Sequence, residues 1–230
     1  MRTVVLQSNY LPWRGYFDLI QTADQFVFYD EVQYTKNDWR NRNRLRGKNG
    51  SFWITIPIEK ESVRRKISEV ALPDSDWQNL HYRSICQSYA SAPHRKEIDL
   101  LIEDIYQKSQ WRSLGEMNQY VIRRISDELG LKTKFIDSKD LLLEGDRENR
   151  LLSVLKQVDA SEYVSGPSAK DYLLPFENHF SEEGVPITYH DYSTYRQYEQ
   201  LSSPFDGFVS IVDLLVNVPR SEWLKYISPI

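Results

Sequence analysis

Residues 3–29 read Thr-Val-Val-Leu-Gln-Ser-Asn-Tyr-Leu-Pro-Trp-Arg-Gly-Tyr-Phe-Asp-Leu-Ile-Gln-Thr-Ala-Asp-Gln-Phe-Val-Phe-Tyr, and this stretch decides the fold. Thr3–Gln7 is a short apolar run of the kind that forms a buried strand. A polar loop, Ser8–Pro12, follows, and Pro12 suits the start of a helix. From Trp13 to about Thr22 the spacing predicts that helix, with Tyr16, Phe17, Leu19, Ile20 and Ala23 on one apolar face. Gln25–Tyr29 is a second buried strand. Strand, loop, helix, strand is a βαβ unit, whose strands run parallel and whose crossover is almost always right-handed. In an open α/β sheet the ligand sits beyond the C-terminal ends of the strands. Gln7, Ser8, Asn9 and Tyr10 are therefore expected beside Asp30 and the residues that follow it.

Those residues, Asp30 to Arg46, read DEVQYTKNDWRNRNRLR. They include Lys36, Arg40, Arg42, Arg44 and Arg46, the amides Asn37, Asn41 and Asn43, and the carboxylates Asp30 and Asp38. Arginine and asparagine offer planar donor patterns suited to phosphate, carboxylate or carbonyl oxygens. Five cations within eleven residues repel one another unless an anion or acidic neighbours lie among them. A solvated loop is the plain alternative. Trp39 argues against it, because a free loop rarely needs a large aromatic anchor. The stretch is expected at the strand ends, facing a cleft.

Further along, 52–58 reads as a third strand, and 61–71 has room for another. Trp77 to Tyr89 reads as a helix with Leu80, Ile85 and Tyr89 as core positions. Glu97 to Leu129 reads as two helices, stopped at Gly130. Lys132–Asp137 is a strand, and Asp146 is placed to cap a helix reaching Val158. Glu162–Ser165 is a strand, Ser168–Phe180 a helix, Pro186–His190 a last strand, and Val209–Val216 a buried helix. The expected class is α/β: a parallel-sheet, Rossmann-like core with a mostly helical insertion at about 77–130, all one domain over 1–230.

Two further groups carry chemistry. The loop from Gln7 to Gly15 runs into a helix N-terminus, where free N–H groups and the helix dipole favour an anion. An ordinary capped loop is the alternative. Ser165-Gly-Pro-Ser-Ala-Lys170 also lies between a strand and a helix. Ser165 and Ser168 could bond an oxyanion and Lys170 neutralise it; a tight turn is the alternative. His81, His94, His179 and His190 show no metal-ligand spacing, so no metal is evident and each reads first as structural. His81 and His94 flank a tyrosine-rich helix and are weak acid–base candidates. Asp213, inside Ser-Ile-Val-Asp-Leu-Leu, is expected to be buried with a partner, for which an arginine of the basic stretch is the candidate.

Composition narrows the class. Net charge is −4, so residues 36–46 form a local positive site on an acidic protein. That favours a small anionic ligand over a general nucleic-acid surface. Cys86 is the single cysteine, so no intramolecular disulfide forms, and a reducing, cytoplasmic location is the expectation. The N-terminus turns polar too early for a signal peptide. No apolar run approaches the roughly 18 residues that span a membrane.

The segments Gln7–Phe17, Asp24–Asp30 and Gln33–Asn43 resemble the opening of the WbqC-like proteins. Trp53-Ile-Thr-Ile-Pro57, Tyr163-Val-Ser-Gly-Pro167 with Asp171-Tyr172, and Phe208-Val-Ser-Ile-Val-Asp-Leu-Leu215 fit its later pieces. The resemblance covers nearly the whole chain. It departs at Ser8, where proline is expected, and at Val218-Pro219, where the family usually has glycine.

This resemblance implies a role in bacterial O-antigen or other surface-polysaccharide synthesis. It implies a transferase that joins glycine or a similar acid, by an amide, to the amino group of a nucleotide-linked sugar. On that reading Lys36, Asn37, Arg40, Asn41, Arg42 and Lys170 hold the diphosphate, with Gln7, Asn9, Gly15 and Ser165 around it. Tyr10 and Trp39 stack on base or sugar, and Trp13 is a further substrate-binding residue. Asp30 or Asp38 takes the proton of the attacking amine, with His81 as a third candidate.

The opening is also similar to the nucleotidyltransferase-like α/β fold of pantothenate synthetase, which makes an amide through an acyl-adenylate. Of that fold's His-x-Gly-His motif, only Gly15 is matched within Pro12–Tyr16; Arg14, Lys36 and Arg40 are the cations that could stand in. The cofactor is left open, with ATP or an aminoacyl-tRNA as the possible source of the activated acyl group. The alternatives are a non-catalytic nucleotide-sugar binder and an aminoacyl-tRNA-binding protein.

Overall fold

The computed structural model describes residues 1–228. In chain order its strands are β1 (Arg2–Leu6), β2 (Gln25–Phe28), β3 (Arg42–Gly47), β4 (Gly50–Thr55), β5 (Lys134–Asp137), β6 (Glu162–Ser165) and β7 (Ile187–Tyr189). Its α-helices are α1 (Arg14–Thr22), α2 (Trp77–Ser88), α3 (Asp99–Glu103), α4 (Leu114–Glu128), α5 (Arg147–Gln157), α6 (Lys170–Leu173), α7 (Glu177–Glu182), α8 (Ile211–Asn217) and α9 (Trp223–Ile227). Five strands form one parallel sheet in the order β5-β2-β1-β6-β7. This is the expected α/β, Rossmann-like core.

Helices cover both faces, which is why β2 reads as an unbroken run and is buried along its length. On one face Val4, Phe26 and Phe28 join a cluster with Phe17 and Ile20 of α1, Val121 and Ile125 of α4, and Leu215 of α8. On the other, Val5, Val27 and Tyr163 meet Leu152 and Leu155 of α5, Leu173 of α6 and Phe180 of α7. The Asp146 carboxylate accepts the Asn149 N–H at 3.2 Å and so caps α5.

Four expectations need correcting. The second half of the basic stretch does not lie at strand ends facing a cleft but is itself a strand: Arg42–Gly47 is β3, paired antiparallel with β4 in a separate hairpin. Asn43 and Leu45 point inward while Arg42 and Arg44 are partly exposed, which is the period of a half-buried strand with asparagine in an apolar place. Residues 61–71 form 3-10 turns and isolated bridges, Gln33 with Lys66 and Ala71 with Ser113, rather than a strand. On α2 the buried positions are Trp77, His81 and Ile85, four apart, which leaves Leu80 exposed. The helix expected over Ser168–Phe180 is broken into α6, a 3-10 turn at Leu174–Phe176, and α7. Pro175 lies at the break and has no N–H to give.

Asp213 is buried as expected, with other partners. Its Oδ2 accepts from the Tyr198 hydroxyl at 2.8 Å and from Gln200 Nε2 at 2.7 Å. The Arg46 guanidinium instead donates to the carbonyls of Ser202 and Pro204. Burial pushes the Asp213 carboxyl up to about 6. A folded value above the unfolded one of about 3.9 means that the protonated acid favours folding. That stability is present below about pH 4 and lost as pH rises through about 6, a change of about 3 kcal/mol. In urea unfolding across this range, the stability of the wild type relative to Asp213→Asn should fall as pH rises, and a difference independent of pH would contradict the raised Asp213 value.

Candidate functional site

Strand order reverses between β1 and β6, since β2 and β5 lie to one side and β6 and β7 to the other. Ligands of open α/β sheets bind at such a reversal, beyond the C-terminal strand ends. A cavity of about 1280 Å³ lies there. Gln7 and Asn9 line it after β1, Tyr29 after β2, and Ser165 to Ala169 after β6. Arg147, Glu148 and Arg150, from the first turn of α5, line a further part. The Arg147 guanidinium lies 4.2 Å from the centre of the Tyr172 ring, which also borders the cavity.

An aromatic wall completes the enclosure. The Trp13 indole meets Tyr192 edge-on at 5.0 Å between ring centres and Phe208 at 5.6 Å. Asp18 holds this wall in place from α1. Buried, it bonds His190 Nε2 at 2.5 Å and accepts the Tyr195 hydroxyl. The Arg14 guanidinium stacks 4.7 Å over the Tyr195 ring and donates to the carbonyls of Arg196 and Tyr226. It is not free to replace a phosphate-binding histidine.

The basic stretch mainly builds the loop after β1. Asp30 Oδ1 accepts the Ser8 N–H at 2.8 Å, a donor that proline at this position would lack. Its Oδ2 accepts from Gln119 Nε2 at 3.0 Å. Trp39 O accepts the Tyr10 N–H at 2.9 Å. Asn43 Nδ2 donates to the carbonyls of Tyr10 at 3.1 Å and Leu11 at 2.7 Å. Leu11 has φ 40°, a left-handed conformation that a bulky side chain rarely adopts. Asn43→Ala, which removes both bonds from a buried site, should cost about 2 kcal/mol in urea unfolding.

The remaining expected residues fall in several places. Arg40 donates to Asn9 Oδ1 at 2.8 Å and Gln7 Oε1 at 2.9 Å, which brings the two polar segments together. Asn41 is buried, bonded to Tyr34 and to the Ile56 carbonyl. Asn37, at φ 59°, forms a turn, and Lys36 is exposed beside it. Trp39 borders the cavity and also meets Trp53, 5.3 Å between ring centres. Both rings are exposed, and Arg42 lies 4.4 Å over Trp53. Gly15 is covered, since a side chain there would collide with the Trp13 indole. Ser165 borders the cavity, whereas Lys170 turns away to lie 5.8 Å over Tyr189.

Three proton-moving candidates do not border the cavity. Asp30 is fully buried with both oxygens engaged, and burial raises its pKa. Asp38 accepts the Trp39 N–H at 2.7 Å and lies 3.7 Å from the Arg40 guanidinium. His81 bonds the Tyr10 hydroxyl at 2.7 Å, and burial lowers it to about 4, so it is neutral at pH 7. Tyr10 is itself wholly buried, hydrogen-bonded to His81 and Tyr106, and so cannot stack on a ligand. Among the described residues no group of three His, Cys, Asp or Glu side chains could hold a metal ion.

A model of the WbqC-like protein family matches residues 7–224, so the match takes in the cavity lining from Gln7 to Phe208. The chain belongs to the WbqC-like family. It is 41% identical over 228 residues to a protein of Mycobacterium tuberculosis (strain ATCC 25618 / H37Rv) named "Uncharacterized protein Rv1507c", covering 98% of each chain. No solved structure matches it. WbqC-like membership supports a function related to polysaccharide biosynthesis and agrees with an enzymatic one. In this WbqC-like protein no described helix is long and apolar enough to cross a membrane.

Sequence reasoning missed Arg147, Glu148, Arg150, Tyr29, Tyr172, Tyr192 and Phe208 as cavity residues of the WbqC-like fold. The available signal was position: the tyrosine-rich run His190–Tyr198 follows β7 directly, at the same end of the sheet as Gln7 and Ser165.

Proposed function

We propose that the cavity binds a nucleotide-linked amino sugar and that the protein joins an amino acid to the sugar's amino group as an amide. One observation carries this reading: an arginine pair and an aromatic wall face a single cavity at the strand-order reversal. Aromatic faces suit a base or sugar ring. Guanidinium groups suit a diphosphate. Arg147 and Arg150 take the role first sought in Lys36, Arg40 and Lys170. At about 1280 Å³ the cavity exceeds the roughly 300–1,000 Å³ of ordinary ligand sites, leaving room for an acceptor and an acyl group together.

In the proposed step the amine nitrogen attacks the activated acyl carbon. The C–N bond forms, the bond to the leaving group breaks, and the amine proton passes to a base. Glu148, a carboxylate on the cavity wall, is that base. The test supplies amino-sugar nucleotides, glycine, and either ATP or charged tRNA. A new amide mass is expected; its absence with every combination would remove the transferase reading.

The exposed Trp39–Trp53 pair with Arg42 above it favours one version, in which the activated acyl group arrives on RNA. Exposed aromatic faces beside arginines suit single-stranded RNA. Binding of charged tRNA should then weaken steeply with salt.

A further inference from the structure

Gln7 and Asn9 stand two residues apart on the loop after β1, and both line the cavity. Their side-chain oxygens are bonded to one guanidinium, that of Arg40, at 2.9 and 2.8 Å. Arginine only donates, so the atoms facing it must be the carboxamide oxygens, and the two NH₂ groups lie on the opposite branches. Among the described residues neither NH₂ group has a protein acceptor.

The arrangement is rigid. The Arg40 side chain is only 15% exposed, lies 3.7 Å from Asp38, and belongs to a residue whose carbonyl accepts from Asn118 Nδ2 at 2.8 Å. The Gln7 carbonyl accepts the Tyr16 hydroxyl at 3.0 Å, and Ser8 is tied to Asp30. A cation on the oxygen side also polarises each amide and strengthens its N–H donors.

We propose that Arg40 is a positioning residue that fixes Gln7 and Asn9 as a paired N–H donor site for the acyl carbonyl oxygen. The substrate class rests on the amide-forming reading; the donor geometry does not. As the amine attacks, the carbonyl oxygen gains negative charge. Donors already aimed at that oxygen stabilise the charge without reorganising. The pair selects for an oxygen acceptor and against an ammonium group, which only donates.

The test uses side-chain amide resonances in ¹⁵N-labelled full-length protein, with N-methylacetamide as a bare acyl carbonyl. Gln7→Glu and Asn9→Asp identify the two NH₂ signals by their disappearance. Both variants keep an oxygen for Arg40, so folding and Tm should persist. The expected result is a saturable downfield shift of these two NH₂ pairs, with other surface amides unmoved. The shift should be lost in Arg40→Met and partly regained in Arg40→Lys.

No response of either signal, or an undiminished response in folded Arg40→Met, would overturn the proposal. If Arg40→Met fails to fold, the reciprocal test stands: Gln7→Glu should abolish the saturable response of Asn9, and its persistence would overturn a paired site. Titration with UDP-, dTDP- and GDP-linked amino sugars in turn separates the two readings. Amides that respond to N-methylacetamide in a protein that ignores every one of these nucleotide sugars would uphold the donor pair and remove the nucleotide-sugar reading.

Discussion

Replacing Asp18 with alanine is expected to destabilise the protein by about 3–5 kcal/mol, within the range for leaving two hydrogen-bond partners unpaired at about 1–3 kcal/mol each. Asp18 is 1% exposed and serves two partners from one oxygen, His190 Nε2 at 2.5 Å and the Tyr195 hydroxyl. Truncation leaves two half-buried partners without this acceptor. It also removes an anion that favours the Arg14 charge, itself opposed by burial. For a chain of this size each kcal/mol moves Tm by about 2–4 °C, so a fall of about 6–20 °C is expected in a thermal melt. Asp18→Asn, which keeps an acceptor oxygen, should fall less. A Tm unchanged in Asp18→Ala would mean that the segment around His190–Tyr195 is held by its aromatic contacts alone.

The second large effect is on binding. The double variant Arg147→Ala, Arg150→Ala should weaken a nucleotide-linked sugar about a hundredfold. A hydrogen bond to a charged group contributes about 1.5–3 kcal/mol, and about 1.4 kcal/mol is a factor of ten. Stability should change little. Arg147 is exposed, and Arg150 is half-buried with one bond to the Gly145 carbonyl. Calorimetric titration of the two proteins side by side measures the loss. Equal affinities would place the diphosphate elsewhere. Arg40 offers the opposite case: its guanidinium is already occupied by Gln7 and Asn9, so its replacement should disturb the loop before any ligand arrives.

The parallel core was legible because its strands are short apolar runs and α1 carries its apolar residues at helical spacing. Strand β3 was not, because its inward side chains include Asn43. That residue is there to bond the carbonyls of Tyr10 and Leu11, and a polar residue serving the backbone breaks the alternation that marks a strand. Topology brought Gln7, Asn9 and Ser165 to the strand ends where the cavity lies, together with Ser8 and Tyr10, which are buried and do not border it. It did not show that Asp30, Asp38 and His81 are engaged with the protein itself, since a site carboxylate and a loop-holding one look alike in one dimension. Arg147, Glu148 and Arg150 read as the charged first turn of a surface helix. Only the placement of α5 over the sheet brings them to the cavity.

The most direct measurement is a thermal-shift titration of the wild type and the Arg147→Ala, Arg150→Ala variant with UDP-, dTDP- and GDP-linked amino sugars. At 100 times its dissociation constant a ligand adds about 2.7 kcal/mol, which is about 5–10 °C in Tm for a chain of this length. A saturable rise in the wild type that the double variant lacks is the expected result; no rise with any of them, or the same rise in both proteins, would contradict a nucleotide-sugar site in this cavity.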